Sequence, residues 1–155
     1  MHLQVPSLRL KQLLVYSVER NWCAVVSKLL DIAFGNEDFD AAFLEFSAAL
    51  QEEVSLLHRA VRKKCRPMVE LLLSYVPSFL SGINDTNSRS FKQKLEFKVK
   101  WGSIFKPDMR GPAGLTPLHI AATIKDAEHI VDALTSDPCQ VSKISLACLL
   151  LCFDD

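Results

Sequence analysis

GLTPLHIAATIKDAEHIVDAL, residues 114–134, decides how the rest of the chain is read. His119 beside Thr116, with Asp126 nearby, offers the residue types of a hydrolase, which needs nucleophile, base and orienter brought together. That reading accounts for the histidine and leaves its neighbours unexplained. Helix mechanics account for all of them. Thr116 accepts from the free amides of a first helical turn. Pro117 suits the first helical position, where its missing N–H costs nothing. Leu118 points inward, and the small Ala121 and Ala122 let the helix lie close to its neighbours. His119 is placed to bond back to the Thr116 hydroxyl or to the adjacent loop backbone, stapling one unit to the next. The stretch is therefore expected to build a surface rather than to perform chemistry.

Working outward, the same pattern recurs. Leu57-His58-Arg59-Ala60-Val61, followed by Val69, Glu70, Leu71 and Leu72, aligns with Leu118-His119-Ile120-Ala121-Ala122, and one extra residue brings Val131 to Leu134 into line. In that copy Ser55 takes the cap and Leu56 the place of the proline. A weaker copy lies upstream in Leu14-Val15-Tyr16-Ser17-Val18, followed by Val26 to Leu29. Each is a helix, a tight turn and a second helix, and three such units approach the minimum for a stable array. Val15 to His58 spans 43 positions and His58 to His119 spans 61, so long excursions separate the units.

Helical periodicity dominates elsewhere. Leu10, Leu13, Leu14 and Val18 keep one face, and Asn21 marks a turn. Phe39, Phe43 and Phe46 form a further helical stripe, taken with Trp22 as core. Pro67 starts a helix over MVELLLSYV. Between residues 77 and 113 the Pro, Gly, Ser and Asn of VPSFLSGINDTNSRS predict a loop. Within that segment LEFKVKW, 95–101, alternates apolar and charged residues, as a strand does.

Composition narrows the function classes. Of 155 residues 49% are hydrophobic and 23% charged, the balance of a globular rather than a disordered chain. The net charge is zero, so the whole molecule has no electrostatic case for nucleic acid or membrane. Locally, seven acids and no Lys or Arg lie between Leu29 and His58, and five bases and no acid between Arg59 and Arg66. These are read as solvated faces of opposite sign. Five cysteines without a CxxC pair predict reduced thiols in an intracellular chain. The N-terminus lacks the apolar core of a signal peptide. The longest apolar run, Ile144 to Phe153, is shorter than the ~20 residues a membrane helix needs. Cys148 and Cys152 with His119 or His129 could be assembled as a soft-metal site, but thiols in a leucine-rich run usually behave as small hydrophobes. No metal or cofactor is expected. The lysines and aromatics of 91–106 define the alternative function, single-stranded nucleic-acid binding by charge and stacking.

The stretch Gly114 to Ala122 resembles the ankyrin repeat, G-x-T-P-L-H-x-A-A, and departs from it at Lys125-Asp126-Ala127, where that family carries a turn glycine. Three blocks together, 13–32, 56–77 and 105–122, are similar to the C-terminal region of large plant squamosa-promoter-binding-like (SBP-box) transcription factors, a likeness spanning most of residues 8–138. The family's DNA binding resides in a zinc-holding SBP domain, which five scattered cysteines and four histidines cannot supply here. The resemblance implies an all-α fold: a short divergent ankyrin-like solenoid over 1–138, with units at about 9–32, 54–76 and 114–136. The 77–113 insertion is expected as a long loop or β-hairpin, and 139–155 as an atypical apolar tail. It further implies a non-enzymatic, nuclear protein–protein interaction module with an unidentified protein partner. The chain is expected to be a fragment or altered product of such a gene. The motif carrying the repeats is Ser55, Leu57, His58, Thr116, Pro117, Leu118 and His119.

Overall fold

The computed structural model describes residues 7–35, 39–44, 55–81, 89–111 and 114–136. All regular structure among them is helical. Helix α1 (Ser7–Glu19) and α2 (Cys23–Phe34) form a first pair. A helical stretch α3 (39–44) follows. Helix α4 (Leu56–Arg62) and α5 (Arg66–Ser74) form a second pair. The short α6 (Ser78–Ser81) and the long α7 (Arg89–Ile104) precede a third pair, α8 (Pro117–Thr123) and α9 (Glu128–Thr135).

The first helices pack in series, α1 on α4 and α4 on α8, while α5 packs against both α2 and α9. Burial follows from this order. The middle pair is covered on both sides, so Leu57, Ala60, Val61, Met68, Val69 and Leu72 are all buried. The outer pairs each bury one set: Leu14, Val18, Val26 and Leu30 in the first, Ile130, Ala133 and Leu134 in the third. Such short helices are marginal alone, and packing of their apolar faces supplies most of their stability.

The three inter-helix turns share one backbone device. Asn21, Lys64 and Asp126 adopt positive φ, 60°, 54° and 58°, and each stands two residues before its second helix. In the first two turns the N–H groups of Asn21 and Lys64 reach the carbonyls of Val18 and Val61, and those of Trp22 and Cys65 reach Ser17 and Ala60. The third turn is one residue longer, which is where the extra residue of the alignment sits. Asp126 thus holds the left-handed position where glycine was expected. Asp126→Gly removes the Cβ conflict with the backbone there and is expected to raise stability by about 1 kcal/mol, seen as a higher melting midpoint.

The stretch 95–101, read as a strand, is helical within α7. Both periods fit its sequence, but only the helical one puts Phe97, Trp101, Ile104 and Phe105 together, and these four are buried. Val99, which a strand would have placed with them, is exposed. The 77–113 segment is accordingly neither a plain loop nor a hairpin: 78–81 and 89–104 are helical. Its aromatic stripe packs against α2, α3 and the end of α5. Phe34 meets Trp101 edge-on at 5.3 Å, Phe39 meets Phe97 at 5.5 Å, and Trp101 Nε1 donates to the Leu72 carbonyl at 2.6 Å. Lys100 adds an ion pair with Asp40. Phe39 and Phe43 belong to this core, whereas Phe46 lies outside the described residues. Trp22, read as core, is half exposed instead. It precedes α2 in the turn, edge-on to Tyr16, with the Arg20 guanidinium over both rings.

Candidate functional site: the histidine staple and the ties between helix pairs

Ser55 and Thr116 cap equivalent helices. Each side chain accepts from the backbone N–H three residues on, that of His58 at 3.2 Å and that of His119 at 3.1 Å. Each cap also faces the ring of that histidine: Ser55 Oγ lies 2.6 Å from His58 Nδ1, and Thr116 Oγ1 lies 2.9 Å from His119 Nδ1. Because the hydroxyl oxygen already accepts from an N–H, its proton is free to go to the ring nitrogen. Pro117 occupies the first turn of α8, and the Thr116 N–H closes a capping box on His119. Thr116→Val removes the acceptor and keeps the shape, so a loss of about 1 kcal/mol is expected, read as a lower melting midpoint.

The two histidines differ at the far side of the ring. His58 is buried, and its Nε2–H donates to the carbonyl of Leu115, 57 residues away, at 3.0 Å. That same carbonyl accepts from the Gly111 N–H at 2.8 Å. The staple between the second and third pairs is therefore made by His58, while His119 closes its own cap and is exposed. Burial pushes the His58 pKa below the ordinary imidazole value, against the opposing pull of the Leu115 bond. Gly111 lies flat against this ring: a Cβ there would come 2.8 Å from Nε2. A cleft of about 330 Å³ lined by Ser55, His58, Met109, Arg110 and Gly111 opens beside it.

Polar ties join the pairs elsewhere. Arg59 and Lys63 of α4 and its turn hold Glu19 of α1. Burial raises the Glu19 pKa, but the bonds and charges of those two cations outweigh it and hold the carboxyl below its usual range. Asp31 accepts from the Tyr75 and Ser78 hydroxyls, which likewise overcome burial and lower its pKa. Lys64 Nζ donates to the Lys125 carbonyl, and Arg66 bridges Glu70 and Asp132.

These contacts tie the helix pairs into a scaffold. The Ser55–His58 pair has a nucleophile-and-base spacing, yet both residues are buried and the ring's second nitrogen is spent on a backbone carbonyl rather than a carboxylate. Among the described residues Asp126 makes no hydrogen bond to His119. Among those residues, too, no group of three or more His, Cys, Asp or Glu could hold a metal ion, and no helix is long and apolar enough to cross a membrane. Cys148 and Cys152 lie outside them. In the 91–106 stretch Phe97, Trp101 and Phe105 are buried, so they offer no face to a nucleobase. Sequence reasoning missed the partners of the staple, Gly111 and the Leu115 carbonyl. The motif GPAG contains the glycine, but nothing in it names the ring that it meets.

What the geometry defines is a protein whose described residues form only helices, in short pairs tied together by caps, a buried histidine and ion pairs. Comparison with known proteins adds a lineage. The chain is 45% identical over 139 residues, 88% of its length, to squamosa promoter-binding-like protein 1 of Arabidopsis thaliana, of which the match covers 13%. It is 39% identical over 84% of its length to squamosa promoter-binding-like protein 6 of Oryza sativa subsp. japonica, covering 12% of that protein. Against squamosa promoter-binding-like protein 15 of Oryza sativa subsp. indica it is 35% identical over 95% of its length, covering 11%. The chain is thus a homologue of the squamosa promoter-binding-like proteins, and it spans about an eighth of the length of these relatives. No family model matches the chain, and no solved structure matches it.

Proposed function

We propose that this chain is a non-enzymatic protein–protein interaction module, an ankyrin-like stack of three helix pairs within, or derived from, a plant nuclear SBP-box transcription regulator. The observation that carries the reading is the positive-φ residue at the same register of all three turns, Asn21, Lys64 and Asp126. A recurring turn of this kind, with first helices packed in series, supports one supersecondary unit used three times. On this reading the repeat domain covers 1–138, with 77–113 as an insertion and 139–155 as a separate tail. Ser55, Leu57, His58, Thr116, Pro117, Leu118 and His119 serve the scaffold. The module works without metal or cofactor, and DNA recognition falls to the SBP domain of the parent family. The likeness to squamosa promoter-binding-like proteins supports placing the module in the nucleus.

The full chain, immobilised and challenged with plant nuclear extract, is expected to retain a specific protein that rebinds saturably once purified. Salt-dependent binding to DNA or RNA without any retained protein would instead favour the nucleic-acid reading and sink this one.

A further inference from the structure

The first helix pair exposes a set of positions most of whose counterparts in the other two pairs are buried. Leu13, Tyr16, Trp22 and Val25 are 47%, 48%, 47% and 41% exposed. In the register of the three units their counterparts in the third pair are Pro117, Ile120, Ala127 and Ile130, all of them buried. In the second pair the counterparts of Leu13 and Val25 are Leu56 and Met68, also buried. Those positions are covered because a preceding helix pair packs on them, α1 and α2 on the second pair, α4 and α5 on the third. In the third pair the counterparts of the buried His58 and Val61 are polar or small, His119 and Ala122, and both are exposed. Among the described residues, then, the first pair presents large apolar and aromatic side chains on this face.

Charge identifies the occupant. Arg9, Arg20 and Lys28 of the first pair are exposed. Its two acids are already engaged, Glu19 by Arg59 and Lys63 and Asp31 by Tyr75 and Ser78. At the boundary between first and second pairs the tie is a carboxylate, Glu19, on a cation, Lys63. The residue at the register of Lys63 in the first pair is Arg20. An incoming helix seated in the same way would bring its carboxylate to Arg20. A second copy of this face would bring Arg20 against its own kind, so charge opposes self-pairing.

We propose that the Leu13–Tyr16–Trp22–Val25 face is a docking surface for an acidic amphipathic helical segment of a partner protein, with Trp22 as its anchor and Arg20 as its charge selector. The proposal rests on the module reading above and names where, and by what chemistry, the partner binds. Trp, Tyr and Arg are the residue types that dominate binding energy at protein interfaces.

The test uses the full chain and two labelled, stapled helices of about 15 residues, one with leucines facing glutamates and the other with leucines facing lysines. Fluorescence anisotropy is expected to show binding of the glutamate helix that weakens with salt, and little binding of the lysine helix. Trp22→Ala should weaken binding by roughly tenfold or more, and Arg20→Glu should reverse the preference between the two helices. Both side chains are exposed, so unchanged circular-dichroism melts will show that the fold is intact. Equal binding of both helices, indifference to Trp22→Ala, a Trp22-dependent dimer in sedimentation, or displacement of the helix by an oligo-dT strand would each overturn the proposal. If nuclear extract yields a partner that Trp22→Ala retains equally well, this face is refuted and the module reading stands. If the wild-type chain retains no protein, both fall.

Discussion

Trp101→Ala is expected to destabilise the fold by about 3–5 kcal/mol, the range for removing a buried aromatic. Trp101 is fully buried between α2, α5 and its own helix, stacked on Phe97 at 5.7 Å and packed on Phe105 at 4.8 Å. Alanine leaves a cavity among rings that cannot collapse together. It also strips the Leu72 carbonyl of the indole N–H. Stability of a chain this size totals about 5–15 kcal/mol, so the loss takes a large share of it. In melting experiments about 2–4 °C per kcal/mol is expected, giving a fall on the order of 10 °C. The outcome bears on what the insertion is. Were 89–104 an appendage, the variant would unfold α7 locally and leave the melting of the helix pairs unchanged. A single cooperative transition at lower temperature is expected instead, because Phe34 of α2 and Tyr75 after α5 both touch the Trp101 ring.

The helix pairs were legible in the sequence for a physical reason. Their caps, Ser55 and Thr116, and the first-turn Pro67 and Pro117 act on the residues beside them, and local chemistry leaves a local signature. The long-range pieces left none. In LEFKVKW the apolar residues fit both a period of two and a helical stripe, and the choice was made by Phe34, Phe39 and Phe43, which lie far away in the chain. Trp22 was misjudged because hydrophobicity alone does not say where a ring lies, and this one sits in a surface turn. The missing glycine at Lys125-Asp126-Ala127 misled in the opposite sense, since aspartate tolerates the left-handed conformation that the turn requires. The staple shows the limit most plainly. His119 looked like its maker, having the fuller motif, but the bond between the second and third pairs belongs to His58, whose ring lies within reach of the Leu115 carbonyl.

His58→Ala is expected to cost about 2–3 kcal/mol, through lost packing and through the Leu115 carbonyl and Ser55 hydroxyl left without their ring partners. Gly111→Ala is expected to act in the same direction, since the ring it would strike is held at both nitrogens and cannot swing away. The pH dependence separates the histidine from a merely space-filling residue. The native ring is neutral, with Nε2–H donating and Nδ1 accepting, and protonation at Nδ1 would set a donor against the Ser55 hydroxyl's proton. Its folded pKa is lowered by burial, whereas an unfolded imidazole titrates near 6.5. The unfolded chain therefore binds the proton first. Stability from this site is fully present above about pH 6.5 and is lost as pH falls from there towards the folded value. Glu19 and Asp31, also lowered, lose their contributions at more acid pH, as it falls through the ordinary carboxylate values towards their lowered folded ones. Urea melts between pH 7.5 and 5 should thus show the wild type weakening while His58→Ala, already weaker, stays nearly flat. Parallel slopes for the two proteins would remove His58 as the source of the acid sensitivity and place the staple's strength in its packing alone.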